Sequence, residues 1–162
     1  MYLSGDEIDL AGVLALNGGS EEETSPLDAD ALSVLLLQAF HVGLRDAGRT
    51  AFLIALDQDA DYASPNFHWF RERYPRFVYV DRIIVSAAAR GQGSARSLYE
   101  ELFGVAQRAA HTMVCCEVNL LPPNPGSQRF HAALGFEEVG RAAPYGTEKQ
   151  VQYLLRPIGR QA

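Results

Sequence analysis

Residues 77–109 hold the segment that most narrows what this chain can fold into. Phe77 to Val85, FVYVDRIIV, is mostly β-branched and aromatic and reads as a strand. Beyond Ser86 to Gly93, Ala95, Leu98, Tyr99, Leu102, Ala106 and Ala109 fall on one stripe of an amphipathic helix. Gly104 lies inside that helix at a cost of about 1 kcal/mol relative to Ala. Strand and helix are joined through Arg90-Gly91-Gln92-Gly93-Ser94-Ala95. Glycines let the backbone approach a ligand closely. The first turn of a helix carries unpaired N–H groups and the positive end of the dipole. Together they make an anion site suited to a phosphate or pyrophosphate, and Arg90 and Arg96 can add charge-assisted contacts. A P-loop requires a Gly-Lys-Ser/Thr ending, which is missing. A Rossmann fingerprint requires Gly or Ala where Arg96 stands. A coenzyme A pyrophosphate is the third reading, and a tight turn that binds nothing is the plain alternative.

The rest of the chain sets this unit in an α+β frame. Asp6 to Asn17 reads as a short helix interrupted by Gly12, and Gly18 to Thr24 as an acidic loop. Ser25 suits an N-cap, Pro26 the first helical position and Asp28 the first turn of a second helix. Leu32, Leu35, Leu36, Ala39 and Phe40 give it an apolar side. His41 to Arg45 and Thr50 to Leu56 predict a hairpin. Asp57 to Arg76 is a long aromatic and charged connection, of the kind that often carries function. Met113 to Leu120 predicts a strand, LPPNP a loop, and Ser127 to Leu134 a helix stopped by Gly135. Phe136 to Arg141 and Gln150 to Arg156 can close the sheet as a hairpin. The order predicts a mixed sheet flanked by helices. The 162 residues suit a single domain spanning 1–162.

Composition removes several function classes. With 48% hydrophobic and 21% charged residues, the chain is neither collagen-like nor largely disordered. A net charge of -6 argues against a nucleic-acid partner. No apolar run approaches the ~20 residues of a membrane span, and the N-terminus carries acids where a signal peptide needs basic residues. Cys115 and Cys116 are adjacent, so on a strand they point to opposite faces and predict neither a disulfide nor a zinc site. A reducing cytoplasm is the plain expectation.

At the glycine turn the chain resembles the GNAT acetyltransferase superfamily. Arg90, Gly93 and Ala95 fit its Q/R-x-x-G-x-G/A signature. The strand YVDRIIV and helix RSLYEELF look like the family's fourth strand and third helix. Asn124, followed by SQRFHAALGFEEVG, is similar to its closing N…F-Y-x-x-x-G-F motif. The strong resemblance covers Phe77 to Arg141, and the N-terminal part follows more loosely. It implies a mostly antiparallel central sheet and acetyl transfer from acetyl-CoA, without a metal, to a primary amine of a small molecule or peptide by direct attack. It implies that backbone amides of Gly91, Gln92, Gly93, Ser94, Ala95 and Arg96 hold the pyrophosphate. Ile83 and Val85, at the strand's end, would pair with the pantetheine arm, and Asn124 would contact it. That strand often splays from the next in the family, and the gap admits the thioester. Many members dimerise through late strands or sheet edges, which leaves a homodimer open.

The chemistry needs a base, because lysine-like amines have pKa values near 10.4. Glu117 in CCEVN is the first candidate, similar to a glutamate that serves as base in the branch acetylating ribosomal-protein N-termini. The other reading is a carboxylate that orients a neighbour. Asp81 is the second candidate, with Arg82 beside it expected on the opposite face. The leaving thiolate needs modest help, and His131 stands where the family usually has tyrosine. It can donate a proton to the sulfur or simply face a neighbour. His41, His68 and His111 predict no metal spacing, and nothing activates Cys115. The resemblance implies that the acceptor docks against Gly18 to Asp30 and Asp57 to Arg76, which would flank the open side of the sheet in this family. The acids there (Glu21, Glu22, Glu23, Asp28, Asp30, Asp57, Asp59, Asp61) either attract a cationic amine or form a solvated surface. Phe67, Trp69 and Tyr74 either wall that site or belong to the core. A non-catalytic acyl-CoA-binding module and a nucleotide-phosphate binder are the alternative functions.

Overall fold

The computed structural model describes residues 2–3, 7–20, 24–146 and 148–159. Glu21, Glu22 and Glu23 lie outside this set, as does Asp6. The strands are β1 (Tyr2–Leu3), β2 (His41–Arg45), β3 (Ala51–Asp57), β4 (Val78–Val85), β5 (Met113–Leu121), β6 (Glu137–Ala142) and β7 (Gln150–Pro157). They form one seven-stranded sheet in the order β1-β2-β3-β4-β5-β7-β6. β1 runs parallel to β2 and β4 parallel to β5, while the remaining neighbours are antiparallel. The helices are α1 (Leu10–Gly18), α2 (Ala29–Gln38), α3 (Pro65–Arg71), α4 (Ser94–Arg108) and α5 (Pro125–Ala133).

Strand alternation divides the core in two. Phe52, Ile54, Leu56, Tyr79 and Cys115 face Val13 of α1, Leu32 of α2 and Phe67 of α3. Leu53, Ala55, Val80, Val114 and Cys116 face Leu98 and Leu102 of α4 and Phe130 of α5. The expected hairpin forms at β2–β3, and the strand–turn–helix unit forms as β4 and α4. Helix starts differ where caps compete. Asp28 caps α2 by accepting from the Ala31 N–H at 2.7 Å, so Ser25 and Pro26 stay outside the helix. α1 starts at Leu10, capped by Asp9, and runs through Gly12. A Cβ at Gly12 would come within 2.7 Å of the Arg49 side chain, so glycine is needed there for a close contact. The long connection after β3 folds part of itself into α3, capped by Ser64 with Pro65 in its first turn.

Two irregularities in β4 shape the rest. Ile54 pairs with Arg82 while Ala55 pairs with Val80, so Asp81 is an extra residue in the ladder. The bulge brings Asp81 and Arg82 to the same face, against the expectation from simple alternation. Next, β4 pairs with β5 only at Val78–Val114 and Tyr79–Cys115. Beyond those rungs the two strands part.

Candidate active site

The opening between β4 and β5 is a cleft of about 310 Å³. Ile83, Val85 and Arg90 line it from β4 and the segment after it. Tyr99 lines it from α4, Cys116 and Glu117 from β5, and Asn124 and His131 from the α5 region. Gly91 to Arg96 are not among its lining residues; this glycine turn follows directly on Arg90, which is. Gly91 and Gly93 have φ of 77° and 80°, a left-handed backbone that side chains rarely adopt. A Cβ at either would meet nothing within 4 Å, so conformation rather than space demands glycine. Gly93 is the N-cap of α4 and offers no side-chain cap, and the turn is exposed. The first-turn amides, from Ser94 and Ala95 onward, therefore lack a side-chain partner and suit an anion. Arg96 is ion-paired to Glu100 at 3.1 Å, and Gln92 donates to the Ala88 carbonyl at 3.4 Å. Asn124 caps α5 by accepting from the Ser127 N–H at 3.2 Å, which leaves its NH2 group to offer the cleft.

A second cleft, of about 730 Å³, lies on the helix side of α2 and α3. Thr24, Asp81, Glu117 and Asn119 line both clefts, so the two meet there. Glu117 is half-buried. Its carboxylate accepts from the Tyr79 hydroxyl at 2.7 Å and from the Asn66 amide at 3.2 Å. The Tyr153 hydroxyl donates to Asn66 at 2.8 Å and fixes that amide's orientation. Burial lifts the Glu117 pKa to about 7, against the two hydrogen bonds that favour its charged form. Asp81, the other candidate base, is already engaged: Tyr62 donates to one oxygen and Arg82 to the other at 2.7 Å. Arg82 also donates to Asn17 at 2.7 Å and to the Ser25 hydroxyl at 2.9 Å and carbonyl at 3.1 Å.

His131 is buried, with both ring nitrogens engaged. Nδ1 lies 2.7 Å from the Ser127 carbonyl, which can only accept, so Nδ1 carries a hydrogen. In the neutral ring Nε2 then accepts from the Tyr99 hydroxyl, 2.7 Å away. Burial holds the imidazole below its ordinary pKa and pushes the Tyr99 phenol well above its own. Cys116 borders the same spot, its thiol held protonated by burial. Tyr99 is the residue that sequence reasoning missed, since in an amphipathic stripe a tyrosine reads as core.

Of the residues named for the acceptor side, some line the second cleft and others do not. Asp61 lines the second cleft, whereas Asp57 accepts from the Asp59 N–H and Asp28 caps α2. Phe67 is fully buried, Trp69 stacks on Tyr153 at 4.2 Å, and Tyr74 rests on the core. The aromatic residues lining the cleft are instead Tyr62, Tyr79 and Tyr145. His41 is paired with Glu101 at 3.2 Å, away from both clefts.

A family model for the acetyltransferase (GNAT) family matches residues 37–136. The chain belongs to the GNAT acetyltransferase family. The matched span runs from the end of α2 to the start of β6 and includes the glycine turn, Glu117 and His131. This GNAT acetyltransferase is similar in fold to several solved structures. A ribosomal-protein-S18-alanine N-acetyltransferase from Escherichia coli matches with a TM-score of 0.65 at 15% identity, over 95% of this chain and 90% of that one. A ribosomal-protein-alanine N-acetyltransferase from Brucella melitensis gives 0.65 at 17% identity, over 93% and 94%. The NatC complex bound to Gag peptide and CoA gives 0.68 at 16%, over 95% and 93%. No curated protein matches in sequence. Among the described residues, no helix is long and apolar enough to cross a membrane.

Proposed function

We propose that the chain, acting as one catalytic domain in the cytoplasm, transfers acetyl from acetyl-CoA to a primary amine of a small molecule or peptide by direct attack on the thioester. The observation that carries this reading is Glu117, a carboxylate with a pKa of about 7 at the junction of two clefts. A base with that pKa is half in its working form at neutral pH.

Acetyl-CoA supplies the activated acyl group and a thiolate leaving group. The turn from Gly91 to Arg96 holds its pyrophosphate on uncapped amides, with Arg90 beside it. The parted backbone at Ile83 and Val85 takes the pantetheine arm, with Asn124 opposite. The amine enters from the second cleft, and Glu117 removes its proton. Tyr99 and His131 act as a pair at the leaving sulfur. The pair is neutral, so the phenol O–H, turned from Nε2 toward the sulfur, donates a hydrogen bond to the leaving thiolate. The nitrogen's proton leaves through Glu117 to water and the thiolate takes one from water, so protons and charge balance.

The test is a melting curve with acetyl-CoA, with ATP as control, followed by thiol release over a panel of amines. At 100 times its dissociation constant a ligand adds about 2.7 kcal/mol, a rise of several degrees at roughly 2–4 °C per kcal/mol. A shift with acetyl-CoA alone, followed by thiol release, is expected. A shift without turnover favours the non-catalytic acyl-CoA-binding module. No shift at millimolar acetyl-CoA overturns the proposal.

A further inference from the structure

Three carboxylates and one ammonium line the second cleft. Among its described residues the formal charges are Asp61, Asp81, Glu117 and Lys149. Asp81 is neutralised by Arg82 at 2.7 Å and holds the Tyr62 hydroxyl besides. Its side chain is 5% exposed, so a substrate ammonium has little access to it. Asp61, which is exposed, and Lys149 line the same cleft, and the Lys149 ammonium lies 5.6 Å from the Tyr145 ring centre. Glu117, at the inner end where the clefts meet, is held by the neutral donors Tyr79 and Asn66. A polyamine needs a carboxylate for each ammonium, or it enters only after costly desolvation. A hydroxyl-rich aminoglycoside needs hydrogen-bonding groups along its rings. The wall made by α2 offers no carboxylate and, apart from Gln38 at its end, no hydrogen-bonding side chain. It presents Ala31, Val34 and Leu35, and Val34 is 58% exposed, an apolar side chain left in water.

We infer that the acceptor is an amine with a single positive charge and an apolar body, its ammonium at Glu117 and its aliphatic or aromatic group on Ala31, Val34 and Leu35. This inference rests on the acetyltransferase reading and narrows it. Such an amine comes either as a free small molecule or as the N-terminus of a peptide whose first side chain is apolar, and both present the same chemistry to the cleft.

The experiment compares kcat/KM for phenethylamine, leucinamide, a hexapeptide beginning with Leu, spermidine and kanamycin at saturating acetyl-CoA. The apolar monoamines are expected to exceed spermidine and kanamycin by about tenfold or more, the worth of covering one aliphatic side chain. The hexapeptide measured against leucinamide tells a chain terminus from a free amine. Val34→Asp is expected to lower the apolar amines by about tenfold and to raise spermidine. Leu37→Asp places the same charge on an α2 residue that is 83% exposed and outside the cleft, and it should leave the ratio unchanged. Turnover confined to spermidine or kanamycin overturns the inference alone, and so does a Val34→Asp variant that lowers every amine equally. An acetyl-CoA melting shift without thiol release from any amine overturns the acetyltransferase reading and this inference with it.

Discussion

Glu117 links catalysis to stability in opposite directions. Burial raises its carboxyl from the ordinary value of 4.5 to about 7. Between those values the folded protein holds a proton that the unfolded chain has released, so stability falls as pH rises through the window. The wild-type Tm should therefore drop between pH 5 and pH 8, and the drop should be smaller in Glu117→Gln. The rate runs the other way: kcat/KM should rise with pH through about 7, as the base loses its proton. Glu117→Gln should lose about 10²- to 10⁴-fold in kcat/KM and lose that pH limb. Melting curves and rate profiles over the same buffers check both signs. Glu117 was legible in the sequence because a charged residue in an apolar strand is uncommon. Tyr99 was not, because periodicity reports which way a side chain points and says nothing of what its hydroxyl meets. The partner that gives Tyr99 meaning, His131, is brought to it by the folding of α5.

At the scale of elements, the bulge in β4 turns Arg82 into a tie between loops. Its guanidinium joins Asn17 at the end of α1, Ser25 before α2 and, through Asp81, Tyr62 before α3. These are the segments that flank the second cleft. Arg82→Met leaves the Asp81 carboxylate buried without its counter-charge, a loss of about 3–5 kcal/mol or roughly 10 °C in Tm. Adding Asp81→Asn should recover part of that loss. The readout specific to the tie is kinetic: the KM for the amine should rise while the acetyl-CoA affinity holds. An equal loss of both would assign Arg82 to general stability. Neither the bulge nor the tie could be read from the sequence. Alternation assumes an unbroken ladder, and the extra residue is visible only in the register of β3 against β4. Ser25 shows the same limit. As a cap candidate it was sound, but Asp28, three residues on, competes for the helix start, and the Ser25 hydroxyl goes to Arg82.

For the whole molecule, the element order and the strand–turn–helix unit were legible because each rests on local signals: β-branched runs, an apolar stripe, glycines. The meeting of the two clefts was not, since it depends on where distant strands stop pairing. Two rungs, at Val78–Val114 and Tyr79–Cys115, carry the backbone pairing between the β1–β4 half of the sheet and the β5–β7 half among the described residues. Beyond that narrow isthmus the halves are held by side chains alone, and the amides that face each other across the opening have no ladder to protect them. A ligand whose extended arm bonds to those amides acts as a third, interposed strand. Hydrogen exchange should show this directly: amides on the facing edges of β4 and β5 beyond Tyr79 and Cys115 should exchange faster than those on the β3 and β7 sides. Acetyl-CoA should slow the β4 edge selectively, making the substrate a structural member that spans this opening.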